Sequence, residues 1–227
     1  MKSLILSILM LSNYSIAGKD QGGGGGDIVF CRPTKREPVG SYQVLDFYLW
    51  RNQNGNNLNS LSKIIDKLKA SAPSLGHDLE NFVNSSPYPV GVKLTSNWLA
   101  KNQVNQVNDE ELGSALEKMN KTPRFLLLRK KLPSHCKLKQ AVLRTETPKG
   151  IVYEYDTSIL DALSKDEVQL SYILIHEWLR NYFSSAEKIR RANWVFHHEG
   201  FLTSSSHTMY FTLCRLGFNC NNIEIKE

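Results

Sequence analysis

The 227-residue sequence predicts an α+β fold, mainly helical. Three observations carry that expectation. Apolar residues recur at three- and four-residue spacing, two β-rich runs are joined by a Pro-Lys-Gly turn, and the last third is punctuated by Ser, Asp and Gly at helix-cap spacing. The expected architecture is an antiparallel β-hairpin followed by a C-terminal three-helix unit, within a single globular domain from residue 28 to residue 227.

Taken in order, "DIVFCR" from Asp27 reads as a short strand. "SYQVLDFYLWRN" from Ser41 reads as a helix with Val44, Leu45, Tyr48 and Leu49 on one face. Leu58, Leu61, Ile64, Ile65 and Leu68 repeat at helical spacing and stop before Pro73. A further short helix carries Leu75, Leu79, Phe82 and Val83, and "SSPYPVG" breaks the chain. Between Val92 and Thr122 only "DEELGSALEKM" has helical character. "RFLLLRKKL", "CKLKQAVLRT" and "IVYEY" read as strands, the last two forming the hairpin around "ETPKG". Asp156 caps a helix through Leu163, "SKDE" from Ser164 and "SSAE" from Ser184 read as capping boxes, Gly200 ends the second of those helices, and Ser204 to Ser206 open a last one through Leu216.

Ahead of the fold lie two segments of another kind. A basic start at Lys2, an apolar run from Leu4 to Leu11 and the small residues Ser15-Ile16-Ala17 read as a cleaved secretory signal over residues 1–17. The run is shorter than the roughly 20 residues a spanning helix needs. Residues 18–27, with five consecutive glycines, read as a flexible leader, and no Gly-Lys-Ser/Thr follows to make a phosphate loop.

Export to an oxidising compartment suits the four cysteines. Cys214 and Cys220 bracket "RLGFN", where Gly217 turns the chain back, so they are paired first and Cys31 with Cys136 by elimination. His135 beside Cys136 would suit a nucleophilic cysteine in another setting, but a disulfide is the expected state. The formal charge of +6 falls to +5 once Lys2 leaves with the signal. Basic clusters at Lys35-Arg36, Arg129-Lys131 and Lys188-Arg191, the last near Trp194, favour an anionic envelope component or a peptide as partner, and export argues against nucleic acid.

The chemistry centres on "LIHEWLRNYF", Leu174 to Phe183. The helix from Ser164 is apolar nearly all round, so His176, Glu177 and Arg180 need buried partners. If the next helix runs back antiparallel, Asn193 falls opposite His176, and Arg190, Asn193 and His197 share a face. One reading is a structural network of Arg180, Arg190 and Asn193 around the two histidines. Another is metal-assisted hydrolysis, with His176 and His197 as zinc ligands, His198, Glu199 or His207 as the third, and Glu177 as general base. A third pairs carboxylates among Glu154, Asp156, Glu177 and Glu199 as in glycosidases. The His-Glu helix resembles that of zincin peptidases, yet Arg180 stands where His-Glu-x-x-His has its second ligand.

Together, the Gly-rich leader into "GGDIVFCR", "QVLDFYLW", "LPSHCKLKQAV", "LIHEWLRNYF" and "IRRANWVFHH" resemble a group of uncharacterised exported proteins of Gram-negative bacteria. The resemblance implies a periplasmic or secreted address and brings no activity with it. The expected function is therefore an envelope protein with a binding or structural role, with a zinc-dependent, peptidase-like hydrolase as the alternative.

Overall fold

A computed structural model describes residues 26–36, 40–50, 58–85, 132–147 and 150–224. Strand β1 (Asp27–Cys31) lies at the centre of a three-stranded antiparallel sheet in the order β2-β1-β3, with β2 at Ser41–Val44 and β3 at Cys136–Gln140. Its registers place Ile28 opposite Val44 on one side and Lys139 on the other, and set Cys31 directly across from Cys136. Ile28 and Val29 are fully buried because both faces of this short strand are covered.

Helix α1 (Leu45–Trp50) follows β2 without a loop. The sequence expectation of one helix from Ser41 is thus corrected: Ser41 to Val44 pair with β1, because a four-residue ladder fills the open edge of that strand. Helices α2 (Leu61–Ser71) and α3 (Pro73–Ser85) match the apolar repeats, with Leu61, Ile64, Leu68 and Leu79 buried. Pro73 occupies the first turn of α3, where its missing N–H is no loss.

Ala141 ends β3 and redirects the chain. Its N–H bonds the Gly26 carbonyl at 2.5 Å and its own carbonyl accepts from Asp156 N–H at 2.9 Å. Strands β4 (Val142–Thr147) and β5 (Gly150–Tyr155) then form the expected hairpin, closing with Thr147 opposite Gly150. So "CKLKQAVLRT" is two strands in two sheets, split at Ala141.

Five helices complete the order: α4 (Thr157–Leu163), α5 (Glu167–Leu179), α6 (Ala186–His197), α7 (Glu199–Thr203) and α8 (Ser206–Leu216). Asp156 caps α4 as expected, accepting from Ser158 and Ile159 N–H. The cap of α5 is Asp166, not Ser164, because Asp166 accepts from Val168 and Gln169 N–H while Ser164 closes α4. Ser185 rather than Ser184 precedes α6. That helix stops at His197, and Gly200 lies inside α7, where its N–H donates to His198 Nδ1. Gly217 ends α8 at φ 105°, a left-handed conformation that glycine adopts without steric cost.

Helix α5 is the axis of the core, buried at every residue from Gln169 to Leu179. It packs on α1, α2, α3, α4, α6 and β2. Trp178, its largest side chain, meets Phe196 and Phe218. Among the described residues no helix is long and apolar enough to cross a membrane. The signal, most of the leader, "DEELGSALEKM" and "RFLLLRKKL" up to Lys131 lie outside the described residues.

Candidate functional site

The polar residues of α5 and α6 meet where the two helices pass each other. Ser171 faces His197 and Tyr172 faces Asn193, so residue numbers rise on one helix as they fall on the other. Asn193 therefore lies one turn earlier along α5 than a tight turn at Ser184-Ser185 implies, because residues 180–185 all take part in the reversal. It reaches His176 only through a third group, Asp46.

Asp46, the second residue of α1, is fully buried. Its Oδ2 accepts from His176 Nδ1 at 2.5 Å and from the Asn193 amide at 2.8 Å, and Oδ1 faces Arg190 Nε at 3.4 Å. The Asn193 amide also donates to the Tyr172 carbonyl at 2.8 Å. Burial, the largest influence on the Asp46 carboxyl, would raise it, but His176, Arg190 and Asn193 together hold it below its ordinary value. Burial would likewise lower His176, yet the Asp46 and Glu177 carboxylates outweigh it and hold the imidazole above its usual range. This is a buried ion pair with its hydrogen bond in place.

Two further acids lie in the same electrostatic neighbourhood. Asp27, at the start of β1, has Arg190 at 4.0 Å and no hydrogen bond to either carboxylate oxygen, and burial pushes its carboxyl up to about 6. Glu177 is buried with Arg180 Nη1 at 3.6 Å from Oε2 and no hydrogen bond to either oxygen. Three carboxylates thus face two guanidiniums and one imidazolium, which balances the charge that burial would otherwise penalise.

His197 is held differently. Its Nδ1–H donates to the Asn193 carbonyl at 2.8 Å, so Nε2 accepts from the Ser171 hydroxyl at 2.7 Å. The Tyr172 ring stacks on it at 3.7 Å. Burial drives its pKa down to about 4, so it is neutral where His176 is charged. A hydroxyl donating to imidazole is the pairing of a nucleophile with its base. With Ser171 at 1% and His197 at 0% exposure, no substrate atom reaches it.

The expected zinc ligands His176 and His197 and the expected general base Glu177 are each 0% exposed. Among the described residues, the group of three metal-ligand atoms within 4.8 Å of one another is Cys31, His135 and Cys136, not these. The third-ligand candidates lie on the outside: His198 is half-buried with Nδ1 accepting from Gly200 N–H, and Glu199 and His207 are exposed. Asp156 is engaged as a helix cap, and Glu154 lies on β5. Both disulfides, Cys31–Cys136 and Cys214–Cys220, are formed.

Sequence reasoning missed Asp27, Asp46 and Ser171. Asp46 stands between Leu45 and Phe47, an acid inside an apolar run, which is the same anomaly that drew attention to His176. Its partners are 130 and 147 residues away, and no local pattern names them.

Outside the network, the outer side of α6 carries Lys188, Arg191 and Trp194 at three-residue spacing, and His198, just past the helix end, lies 5.3 Å from the Trp194 ring. Lys188 and Arg191 are exposed, whereas Arg190 of the same basic cluster turns inward. Trp50 stacks on Trp194 at 5.3 Å. Beside Trp194 and His198 opens a cavity of about 160 Å³, which Phe201, Ser204, Thr208 and Thr212 also line. Comparison with protein-family models, with curated proteins and with solved structures finds no match to this chain.

Proposed function

We propose that the protein is exported to the bacterial envelope and works there by binding an anionic envelope polymer on the outer face of α6, with the buried network as architecture. The observation that carries this reading is the stripe of Lys188, Arg191, Trp194 and His198 beside an open cavity, on a molecule whose His-Glu helix is closed to solvent. Cations at this spacing meet successive anionic groups, while an indole fixed by Trp50 offers the flat apolar surface on which a sugar ring stacks. The apolar run at Leu4–Leu11 and two disulfides support an oxidising address.

Titration with a uronic-acid polysaccharide at low salt tests it. Lys188→Glu/Arg191→Glu is expected to weaken binding at least tenfold, Trp194→Ala severalfold, and His176→Gln not at all once the folded fraction is matched. Equal affinity in the first variant overturns the reading.

A second reading, a zinc-dependent hydrolase, is favoured by one observation. Asp46 accepts from Nδ1 of His176, the way a carboxylate orients a metal-binding histidine, and the adjacent Glu177 carboxylate has no hydrogen bond. Stoichiometric zinc in the oxidised protein, lost in His176→Ala and His197→Ala alike, is its test.

A further inference from the structure

Among the described residues, metal-binding side chains converge at the far end of the β1–β3 ladder. Cys31 and Cys136 are directly opposed on the two strands, and His135 precedes Cys136, so that one imidazole nitrogen and both sulfurs lie within 4.8 Å of one another. His135 is exposed, and its ring makes no hydrogen bond among the described residues. In the oxidised protein the sulfurs bond each other and neither is a ligand. We propose that reduction of this disulfide creates a Cys2His zinc site from Cys31, Cys136 and His135. The inference does not rest on the binding face of α6.

Three features support it. The frame has contacts besides the bond: five residue pairs join β1 to β3, Arg32 N–H donates to the His135 carbonyl at 2.9 Å, and Cys136 N–H donates to the Pro133 carbonyl at 2.9 Å. The required movement is small, since two thiolates at about 2.3 Å from a tetrahedral zinc stand roughly 3.8 Å apart, a distance reached by side-chain rotation. The site is within reach of a reductant and of zinc, because His135 is exposed and Cys136 is half-buried.

The chemistry balances with a dithiol reductant. Its thiolate attacks Sγ of Cys136, the more exposed sulfur, and Cys31 leaves as thiolate. The second thiol of the reductant then resolves the mixed disulfide, so two electrons pass to the protein and the reductant becomes a disulfide. Zinc next displaces the remaining thiol protons and takes the His135 nitrogen, leaving the fourth position to water. A three-ligand site with an open position exchanges its metal more readily than a closed one, as suits a site that forms and dissolves with redox state.

The test uses the full-length chain without a tag, as Cys214→Ser/Cys220→Ser, reduced with dithiothreitol and desalted anaerobically. Zinc is measured by competition with a chromophoric chelator, fold by near-ultraviolet circular dichroism, and ligand type by the thiolate charge-transfer band of Co²⁺. The expected result is one zinc per folded reduced chain and none per oxidised chain. His135→Ala should weaken binding at least tenfold, and Cys31→Ser should abolish the Co²⁺ band. No uptake by the folded reduced protein, uptake undiminished in His135→Ala, or loss of the native dichroism on reduction before any zinc is added each overturns the proposal.

Discussion

Replacing Asp27 with Asn should stabilise the protein, by an amount that depends on pH in a defined window. Asp27 is fully buried, neither oxygen has a hydrogen bond, and its nearest cation is Arg190 at 4.0 Å. Burial lifts its pKa from 3.8 to about 6. A carboxyl whose pKa is higher when folded binds its proton more tightly in the native state. Folding therefore has the full benefit of that proton below the unfolded value of 3.8 and loses it as pH rises to about 6. At about 1.4 kcal/mol per pH unit, a gap of roughly two units amounts to about 3 kcal/mol. Asn has the same shape and never ionises, so the stability difference between variant and wild type should grow by about 2 kcal/mol from pH 4 to pH 6.5 and level off above about pH 7. Urea unfolding of both proteins at half-unit pH steps gives that difference directly, and contributions from groups not coupled to Asp27 cancel in it. A difference constant to within about 0.5 kcal/mol across the range would refute the argument, since Asp27 would then ionise as readily inside the fold as outside it.

Four other expectations follow from the same structure. His197 should stay neutral to about pH 4 with its proton on Nδ1, while His176 stays protonated above the usual histidine range, a contrast that nitrogen NMR reads directly. The sign for His197 is that its stabilisation is complete above 6.5 and is lost as pH falls towards 4, about 3 kcal/mol in all. Gly76→Ala should cost about 2 kcal/mol or more in chemical unfolding, because the added Cβ would lie 2.3 Å from Lys69 N and 2.7 Å from its Cα, backbone that α2 and α3 cannot easily move. Removing Cys31–Cys136 should cost more than removing Cys214–Cys220, about 5 against about 2 kcal/mol by loop entropy, since the first closes 105 residues and the second 6. Asp78→Ala should lower the thermal midpoint, because its carboxylate accepts from Trp178 Nε1 at 2.7 Å and Tyr182 Oη at 2.5 Å, leaving a largely buried indole N–H unpaired; a cost of about 1–3 kcal/mol is expected.

What was legible in the sequence depended on the range of the force involved. Helices α2 and α3 announce themselves because their apolar spacing is a local record of which face is buried, α5 by a nearly unbroken apolar run and α8 by the serines that open it. The β4–β5 hairpin is equally local, its turn lying between its own strands. Strand β2 was missed although "SYQV" alternates polar and apolar residues, because four residues are too few to stand out from the apolar helix that follows without a loop, and the pairing with β1 that fixes them as a strand is not local. Ser164 lost the cap of α5 to Asp166 because an ionised carboxylate is the better acceptor for the first N–H groups and lies nearer the apolar run. In the site, the need of His176, Glu177 and Arg180 for partners could be read from the apolar residues around them. Which partners they have could not, because Asp46 arrives with α1 from the other end of the chain.

The separations in that network govern how the molecule assembles. Val44 N–H is bonded by Gln169, Asp46 by His176 and Asn193, and the Asn59 amide by the carbonyls of Phe196 and His198, across 125 to 147 residues. The α2–α3 pair carries its own ion pair, Lys69 with Glu80, whereas the cations that act on Asp27 and Asp46 are Arg190 and His176 of α6 and α5. Until α5 and α6 are present, β1 and α1 hold two carboxylates that only water can satisfy, so the first half gains little by collapsing. Docking of α5 and α6 is therefore the step at which β1 and α1 exchange water for buried partners.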